Sequence, residues 1–221
     1  MIKIIIALGA FFALTLITGC SQRAQAINQM VSEYLFSKDI NRFDSTPLQP
    51  QFQYLEVHSN TAQALMVLGY VESAGPDQPL IHTWYSGDYE FFRTQGGRLL
   101  DVSGVTPSQR NTQLHWQYTR QGIPLATHKT FDQPELQVFN YSETLTANLV
   151  THNQIQFATP LQRRLQANAH QWVWVIESRS GAMAHLPASL YAYTQTGQPV
   201  YGRECLTTTQ CFEWLYRKNE Q

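Results

Sequence analysis

The sequence predicts a mainly β protein: a single antiparallel domain of barrel-like or sandwich type with a short N-terminal amphipathic helix. Three observations lead to this fold class. Short segments rich in branched and aromatic residues recur along the chain at regular spacing. Turn residues, and not helical periods, separate these segments. No Gly-rich or Ser-rich linker divides the 221 residues, a length that suits one domain with a substantial core.

The first twenty residues have the features of a bacterial lipoprotein signal peptide. Lys3 precedes an apolar run over residues 4–17, and Thr18 and Gly19 stand directly before Cys20. A cationic start, an apolar centre and small residues before a cysteine are typical of such a leader. An uncleaved transmembrane helix is the alternative, but the apolar run is shorter than the roughly 20 residues that cross a bilayer.

The residues around Cys20 resemble the lipobox, in which the cysteine sulfur receives a diacylglycerol and the freed amine is then acylated. We therefore predict a signal peptide over residues 1–19, lipid attachment at Cys20 and a single β-rich domain over residues 20–221. Two or more acyl chains anchor a protein stably to a membrane. Ser21, in place of an Asp that would favour inner-membrane retention, indicates the outer membrane with the domain facing the periplasm.

The first predicted element of the mature chain is the amphipathic helix, over residues 25–38. Its apolar residues recur at helical spacing and form one stripe. They are Ala26, Ile27, Met30, Val31, Tyr34 and Leu35. We expect this stripe to pack on the domain; a position on the membrane surface is the alternative, which the lack of a cationic face disfavours.

The predicted strands follow Pro47 and Pro50, which break the helical pattern. Residues 51–59 and 63–72 form a hairpin, and a three-stranded meander with glycine-containing turns comes next. The remaining strands surround one small helix at 160–168. The predicted strands after the first hairpin are 80–85, 89–94, 98–102, 113–119, 136–146, 171–178, 189–194 and 199–206.

The other two cysteines, Cys205 and Cys211, lie in the last part of the chain. In an oxidising compartment they are expected to pair as a disulfide between two strands joined through residues 206–210. Free buried thiols or half of a metal site are the alternatives. No histidine lies within that segment to complete a zinc ligand set.

Charge and motifs exclude several classes of function. The chain carries 15 basic and 16 acidic residues, so a nucleic-acid partner is not expected. No two of the seven histidines have the spacing of a helical or finger metal site, and no nucleophile elbow or phosphate-binding glycine loop is present. We therefore predict no catalytic residue, no metal and no cofactor. A glycan-modifying enzyme remains one alternative, because the two carboxylates of a glycosidase need only meet in the fold. The carboxylates that could be proposed for it are Asp88, Glu90, Glu143 and Glu177. A structural envelope lipoprotein without glycan contact is the other alternative.

Aromatic residues, at 12% of the chain, are the strongest remaining chemical feature. Aromatic rings stack on sugars, so the clusters in the strands at 80–85 and 171–178 are candidate contacts with a glycan or a partner protein. These candidates are Trp84, Tyr85, Trp172 and Trp174. The alternative is core and cross-strand packing, because alternation along each strand turns one set of side chains inward.

Two segments of the chain resemble the YjbF/GfcB family of lipoproteins, which are encoded with exopolysaccharide and group 4 capsule genes. The first is HTWYSGDYEFFRTQGGRLLDVSGV, at residues 82–105, and the second is QWVWVIESRSGAM, at residues 171–183. The resemblance extends over most of the mature chain when two further parts are included: the lipobox, and the sequence LMVLGYVES at residues 65–73, before the first segment. The matching positions in the first segment are Trp84, Ser86, Phe91, Gly97, Arg98, Leu99 and Gly104.

The resemblance implies an antiparallel, barrel-like domain on an outer-membrane lipoprotein that serves assembly or export of a surface polysaccharide. Expected partners are the membrane, through the lipid anchor, the polysaccharide and other export proteins. The family has no established catalytic residues to carry over. Arg98, in its Gly-Gly-Arg-Leu turn, is a candidate contact for an anionic glycan, or else a structural residue paired with Asp88 or Asp101. Residues 205–221 depart from the family pattern, so the function of this tail stays open.

Overall fold

A computed structural model describes residues 48–88 and 90–217, which lie in a single compact unit. Within these residues, twelve strands form one antiparallel sheet. The strands are β1 (Tyr54–Ser59), β2 (Gln63–Glu72), β3 (Ile81–Tyr85), β4 (Phe91–Gln95), β5 (Arg98–Val102), β6 (Arg110–Tyr118), β7 (Pro124–Gln133), β8 (Val138–Val150), β9 (Val173–Arg179), β10 (Ser189–Tyr193), β11 (Pro199–Cys205) and β12 (Cys211–Arg217). One α-helix, α1 (Pro160–Gln166), lies between β8 and β9.

The sheet rolls into a nearly closed barrel. Its strand order runs β5-β4-β3-β2-β1-β12-β11-β10-β9-β8-β7-β6, so that β5 and β6 are its two ends. A single bridge between Val102 and Gln109 brings these ends together. Because neighbours in the order are mostly neighbours in the sequence, short turns connect nearly all the strands, as antiparallel pairing allows.

The largest apolar cluster fills much of the barrel. Phe92 and Tyr191 both pack on the Trp214 ring, with centroids 5.2 Å and 6.4 Å from it. Gly202 lies directly opposite Trp214 in the β11–β12 register, and a Cβ atom there would come 2.3 Å from the indole ring. The absence of a side chain at position 202 therefore makes room for the central tryptophan.

Strand β5 is buried on both faces. Leu99 and Val102 belong to the cluster around Trp214, whereas Leu100 packs with Leu114 and other residues of a separate cluster. The turn before β5 requires Gly96 and Gly97, whose φ angles are +53° and +82°. The end strand β5 is therefore covered by apolar side chains on both of its faces.

Helix α1 packs on β9–β12 from the side of the sheet that faces away from Trp214. Thr159 caps the helix by accepting a hydrogen bond from the Gln162 backbone N–H at 3.2 Å, and Gln162 bonds back to form a capping box. Arg164 binds the buried Glu56 carboxylate of β1 at 2.5 Å. Burial alone would raise the pKa of Glu56, but hydrogen bonds from His58 and Arg164 outweigh it and hold that pKa below its usual value. The helix is thus tied to the sheet by a charge-assisted bond.

The structure confirms the predicted fold class and most of the predicted strands, with ends that differ by a few residues. Strand β7 was not predicted, and β8 is longer than the segment expected at 136–146. The predicted helix at 160–168 is α1. The predicted signal peptide at 1–19, Cys20 and the amphipathic helix at 25–38 lie outside the described residues.

The predicted disulfide between Cys205 and Cys211 is present. The two residues lie directly opposite each other in the register of β11 and β12, with Cα atoms 3.9 Å apart. The bond therefore closes the hairpin just before its Leu206–Gln210 connection, where the Leu206 N–H donates to the Gln210 carbonyl at 2.9 Å.

The described part of the chain lacks any helix with the length and hydrophobicity of a membrane span.

Candidate functional site

Six charged side chains meet inside the protein, and we call them the buried charge cluster. Three are cationic and three are anionic, and each side chain is at most 4% exposed. Five strands contribute: β5, β7, β8, β9 and β11. The members are Arg98, Lys129, Glu143, Glu177, Arg179 and Glu204.

Arg98 forms the first half of the cluster. Its Nη2 and Nε donate to one Glu177 oxygen at 3.1 Å and 3.3 Å. Its Nη1 donates to the carbonyls of Pro124, at 2.8 Å, and Gly96, at 3.1 Å. The Tyr193 hydroxyl also contacts Nη1. Each of the three guanidinium nitrogens thus has a hydrogen-bond partner. A charge removed from water requires such partners.

Aromatic rings enclose the same guanidinium. The Arg98 Cζ atom lies 4.3 Å from the centroid of Tyr191 and 5.5 Å from that of Trp116. Both distances permit a cation–π attraction, which is stronger when the ion is desolvated. Although burial alone would lower the pKa of Arg98, the Tyr193 and Glu177 side chains raise it, so Arg98 stays charged.

Glu204 organises the second half of the cluster. One of its oxygens accepts from Lys129 Nζ and, at 3.2 Å, from Arg179 Nη2. The other accepts from the Tyr191 hydroxyl at 3.2 Å. Burial would raise the pKa of Glu204, but the Lys129 and Arg179 charges outweigh it and lower that pKa. Since Tyr191 contacts both Arg98 and Glu204, it links the two halves.

Glu143 is the one member of the cluster without a hydrogen bond among the described residues. Its side chain is buried, and neither carboxylate oxygen has a partner. The nearest cation is Arg179, whose Nε lies 3.9 Å from one oxygen. Burial raises the pKa of Glu143, and the opposing effects of Arg179 and Lys129 do not cancel it. The Glu143 carboxyl group therefore takes up a proton more readily than an exposed glutamate does.

The interior location of the cluster limits what it can do chemically. Its carboxylates are bonded to, or enclosed by, side chains of the protein, and among the surrounding side chains Tyr191 and Tyr193 are fully buried. In this conformation the cluster holds strands together and does not present charges to a solute. Its role in the described fold is structural.

Three of the predicted contact residues are also interior, which corrects the sequence interpretation. Trp84, Arg98 and Trp174 are each 1% exposed, so they cannot contact a glycan or a partner protein at the surface. The Trp84 indole donates to Thr94 Oγ1 at 3.1 Å, and the Trp174 indole donates to the Ala169 carbonyl at 2.9 Å. Packing and hydrogen bonding therefore account for both tryptophans.

Arg98 also differs from the sequence prediction in its partner. It was expected to contact a glycan or to pair with Asp88 or Asp101. Instead it pairs with Glu177, and Asp101 accepts a hydrogen bond from Arg93 at 2.7 Å. The structural interpretation of Arg98 is correct, but its partner lies 79 residues away in the sequence.

Tyr85 and Trp172 are the predicted contact residues that reach the surface. Trp172 is half-buried and packs against the apolar residues that lie between α1 and the sheet. Tyr85 is 43% exposed, and its ring lies on Gly69, where an added Cβ atom would come 2.5 Å from Cδ2. Tyr70, which is 62% exposed, lies diagonally across from Tyr85, because Thr83 is opposite Tyr70 in the register. We call Tyr70 and Tyr85 the tyrosine pair.

Sequence reasoning missed most of the buried charge cluster. One signal was available in β9, where Glu177 shares a face with the inward-facing Val175. A charged residue on an apolar strand face indicates either a partner or a different fold. The sequence contained no indication of which cation supplies the partner.

Comparisons with known proteins add little to these observations. No protein-family model matches the chain. No curated protein matches it either. Among solved structures, the chain is similar to the crystal structure of the hypothetical lipoprotein YmcC from Escherichia coli. That similarity has a TM-score of 0.48 and a sequence identity of 16%, over 87% of this chain and 97% of the other.

Replacing Arg98→Met is expected to lower the free energy of unfolding by about 3–5 kcal/mol, because Glu177 is left as an unpaired buried charge. Adding Glu177→Gln should recover part of that loss, since the stranded charge is removed. Urea denaturation of the two single variants and the double variant measures the coupling.

Arg120→Met, in an exposed turn, is the matched control and should change stability by no more than about 0.5 kcal/mol. Additive losses for Arg98→Met and Glu177→Gln would show that the pair contributes no coupling.

We expect the free energy of unfolding of the Glu143→Gln variant, compared with that of wild type, to increase as the pH rises. Because the folded state raises the pKa of Glu143 above its ordinary 4.5, the wild-type carboxyl stabilises the fold below that value and loses this contribution at higher pH. A glutamine does not titrate. The stability of the variant relative to wild type should therefore improve as the pH is raised from about 4 to about 8.

The control is Glu135→Gln, measured by the same denaturation series. Hydrogen bonds from the backbone and Ser108 lower the pKa of Glu135, so its variant should change in the opposite direction with pH. A difference between Glu143→Gln and wild type that does not depend on pH would contradict the prediction.

Proposed function

We propose that the protein is a lipid-anchored envelope protein that acts, without catalysing a reaction, in assembly or export of an exopolysaccharide or capsule. In this proposal Cys20 anchors it to the outer membrane, and the β-barrel faces the periplasm. The observation that carries the proposal is the N-terminal sequence, in which an apolar leader ends in Thr18, Gly19 and Cys20. The two segments that resemble the YjbF/GfcB family supply the link to polysaccharide.

The disulfide supports an exported location. Disulfides persist in oxidising compartments and are rare where thiols are kept reduced. Cys205 and Cys211 are paired, and Cys20 is the remaining cysteine of the chain. This division of the three cysteines, one for lipid and two for a disulfide, is the one that an envelope lipoprotein needs.

The tyrosine pair supplies a surface for glycan contact. One edge of the Tyr85 ring, at Cδ2 and Cε2, lies close over Gly69, and this contact restricts the ring before any sugar stacks on it. Tyr70 extends the aromatic surface on the adjacent strand, and both rings are exposed. Of the aromatic residues first considered, Tyr85 is the best placed to contact a polysaccharide.

The glycosidase alternative receives no support from a specific observation. It requires two carboxyl groups about 5–9.5 Å apart on either side of a bond that the substrate brings into a cleft. Of the carboxylates that could be proposed for such a pair, Glu143 and Glu177 are 2% and 3% exposed and belong to the buried charge cluster. A binding role at the surface is therefore the function that the geometry favours.

Deleting the gene is expected to reduce the amount or change the chain length of the surface polysaccharide, and the wild-type gene should restore it. Cys20→Ala should fail to restore it, because the domain is no longer held at the membrane. Mass spectrometry of the wild-type protein should show a cleaved leader and an acylated Cys20. A deletion strain with normal polysaccharide, or an intact leader on the native protein, would overturn the proposal.

Replacing Tyr85→Ala or Tyr70→Ala is expected to weaken binding of the full chain to the purified host polysaccharide by about 5- to 10-fold, because each removes one stacking surface. Binding is measured by calorimetry. Phe139→Ala is the matched control, since Phe139 is 61% exposed but lies on β8. Equal losses for Phe139→Ala and Tyr85→Ala would contradict a glycan surface at the tyrosine pair.

A further inference from the structure

Two histidines face each other on the outside of strands β6 and β7. His115 and His128 are directly opposite in the register, so their side chains lie on the same face of the sheet. Their ring centroids are 5.7 Å apart. On the next strand, Ser142 Oγ lies 2.6 Å from His128 Nε2. His115 is exposed and His128 half-buried, so both are accessible to a solute.

We propose that His115 and His128 bind a divalent transition-metal ion, with Cu²⁺ as the preferred ion. Imidazole nitrogen is a good ligand for copper, nickel and zinc, and copper is bound most tightly at a given set of nitrogen ligands. The inference is independent of the function proposed above, because it rests on other strands of the sheet, β6 and β7, and on no resemblance.

The separation of the two rings fits a shared ion. With metal–nitrogen bonds of about 2.0–2.1 Å and a ring radius of about 1.2 Å, each ring centroid lies about 3.2 Å from the metal. Two centroids 5.7 Å apart then subtend an angle of about 125° at the ion. This angle is nearer to the angles of a trigonal or tetrahedral site than to the roughly 90° of the tetragonal geometry that Cu²⁺ favours. Binding of Cu²⁺ therefore requires the two side chains to rotate until the angle at the ion closes toward that value.

Ser142 prepares His128 as a ligand. When Nε2–H of His128 donates to Ser142 Oγ, the proton is held on Nε2 and the lone pair is left on Nδ1. Metal-binding histidines commonly donate their second ring N–H to an oxygen in this way, which orients the ring. Ser142 is thus a positioning residue, and the ion is bound by the two imidazoles with water in the remaining positions.

The same contact is less suited to nucleophilic catalysis. A serine activated by histidine needs a third group to orient the imidazole, usually a carboxylate. Among the described residues, no carboxylate bonds to His128, and its nearest ring neighbour is His115. A second imidazole is useful as a further metal ligand, whereas a catalytic triad has no role for it.

The chain contains a comparison pair of histidines. His152 and His170 also lie edge to face, but their centroids are 6.5 Å apart. By the same geometry, two rings on one ion reach about 6.4 Å only when the arrangement is linear. His152 and His170 are therefore too far apart to share an ion without movement of the chain. No group of three or more metal-binding side chains occurs among the described residues, so the site would have two protein ligands.

The test is a Cu²⁺ titration of the full chain, without a polyhistidine tag, with the disulfide intact and the Cys20 sulfur lipidated or alkylated. Calorimetry should give about one site per chain, with affinity falling from Cu²⁺ to Zn²⁺ and Mn²⁺. Electron paramagnetic resonance should show two nitrogen ligands. His115→Gln and His128→Gln should each weaken Cu²⁺ binding by at least about tenfold, and Ser142→Ala by about tenfold.

The matched control is His152→Gln, which should bind Cu²⁺ as the wild type does. Circular dichroism establishes that each variant is folded. The proposal would be overturned if His128→Gln bound Cu²⁺ as tightly as wild type, if His152→Gln lost as much affinity as His128→Gln, or if the resonance spectrum showed fewer than two nitrogens.

Discussion

The pairing of the Arg98 guanidinium with Glu177 is the interaction on which the interior of this protein depends. A charge removed from water costs several kcal/mol unless other groups replace its hydration. Arg98 obtains that replacement from Glu177, from the carbonyls of Gly96 and Pro124, and from the surrounding aromatic rings. Each partner comes from a different part of the chain. The end strand β5 is therefore held against β9, the fourth strand from the β6 end of the sheet, and this contact helps to define how the sheet closes.

The disulfide and the buried charge cluster act on the same hairpin. Glu204 directly precedes Cys205, and its carboxylate binds both Lys129 and Arg179. The bond between Cys205 and Cys211 restricts how far β11 and β12 can separate, so it also restricts where Glu204 can move. A covalent link at the end of the hairpin thus supports an ionic contact inside the barrel.

Because the buried charge cluster and the apolar cluster around Trp214 are both shielded from solvent, the surface features described above lie on other parts of the sheet. The tyrosine pair on β2 and β3 and the histidines on β6 and β7 are on separate strands of the sheet. One presents flat apolar rings and the other presents nitrogen ligands, so the two surfaces favour different kinds of solute. The proposed role in the envelope therefore relies on the outer face of the sheet, with the interior providing rigidity.

Strand alternation, turn residues and cysteine spacing are local or compositional signals, so the fold class and most strand positions could be predicted before any tertiary contact was known, and the disulfide could be expected. The leader and the lipid at Cys20 stay predictions from sequence. The identity of the charges that meet could not be predicted, because sheet closure and not sequence spacing brings Arg98 to Glu177. Alternation along β3 likewise left open whether Trp84 or Tyr85 faces inward, and the packing of the sheet places Trp84 there. Strand β7 escaped prediction because Lys129 occupies an interior position, where sequence patterns lead one to expect an apolar side chain.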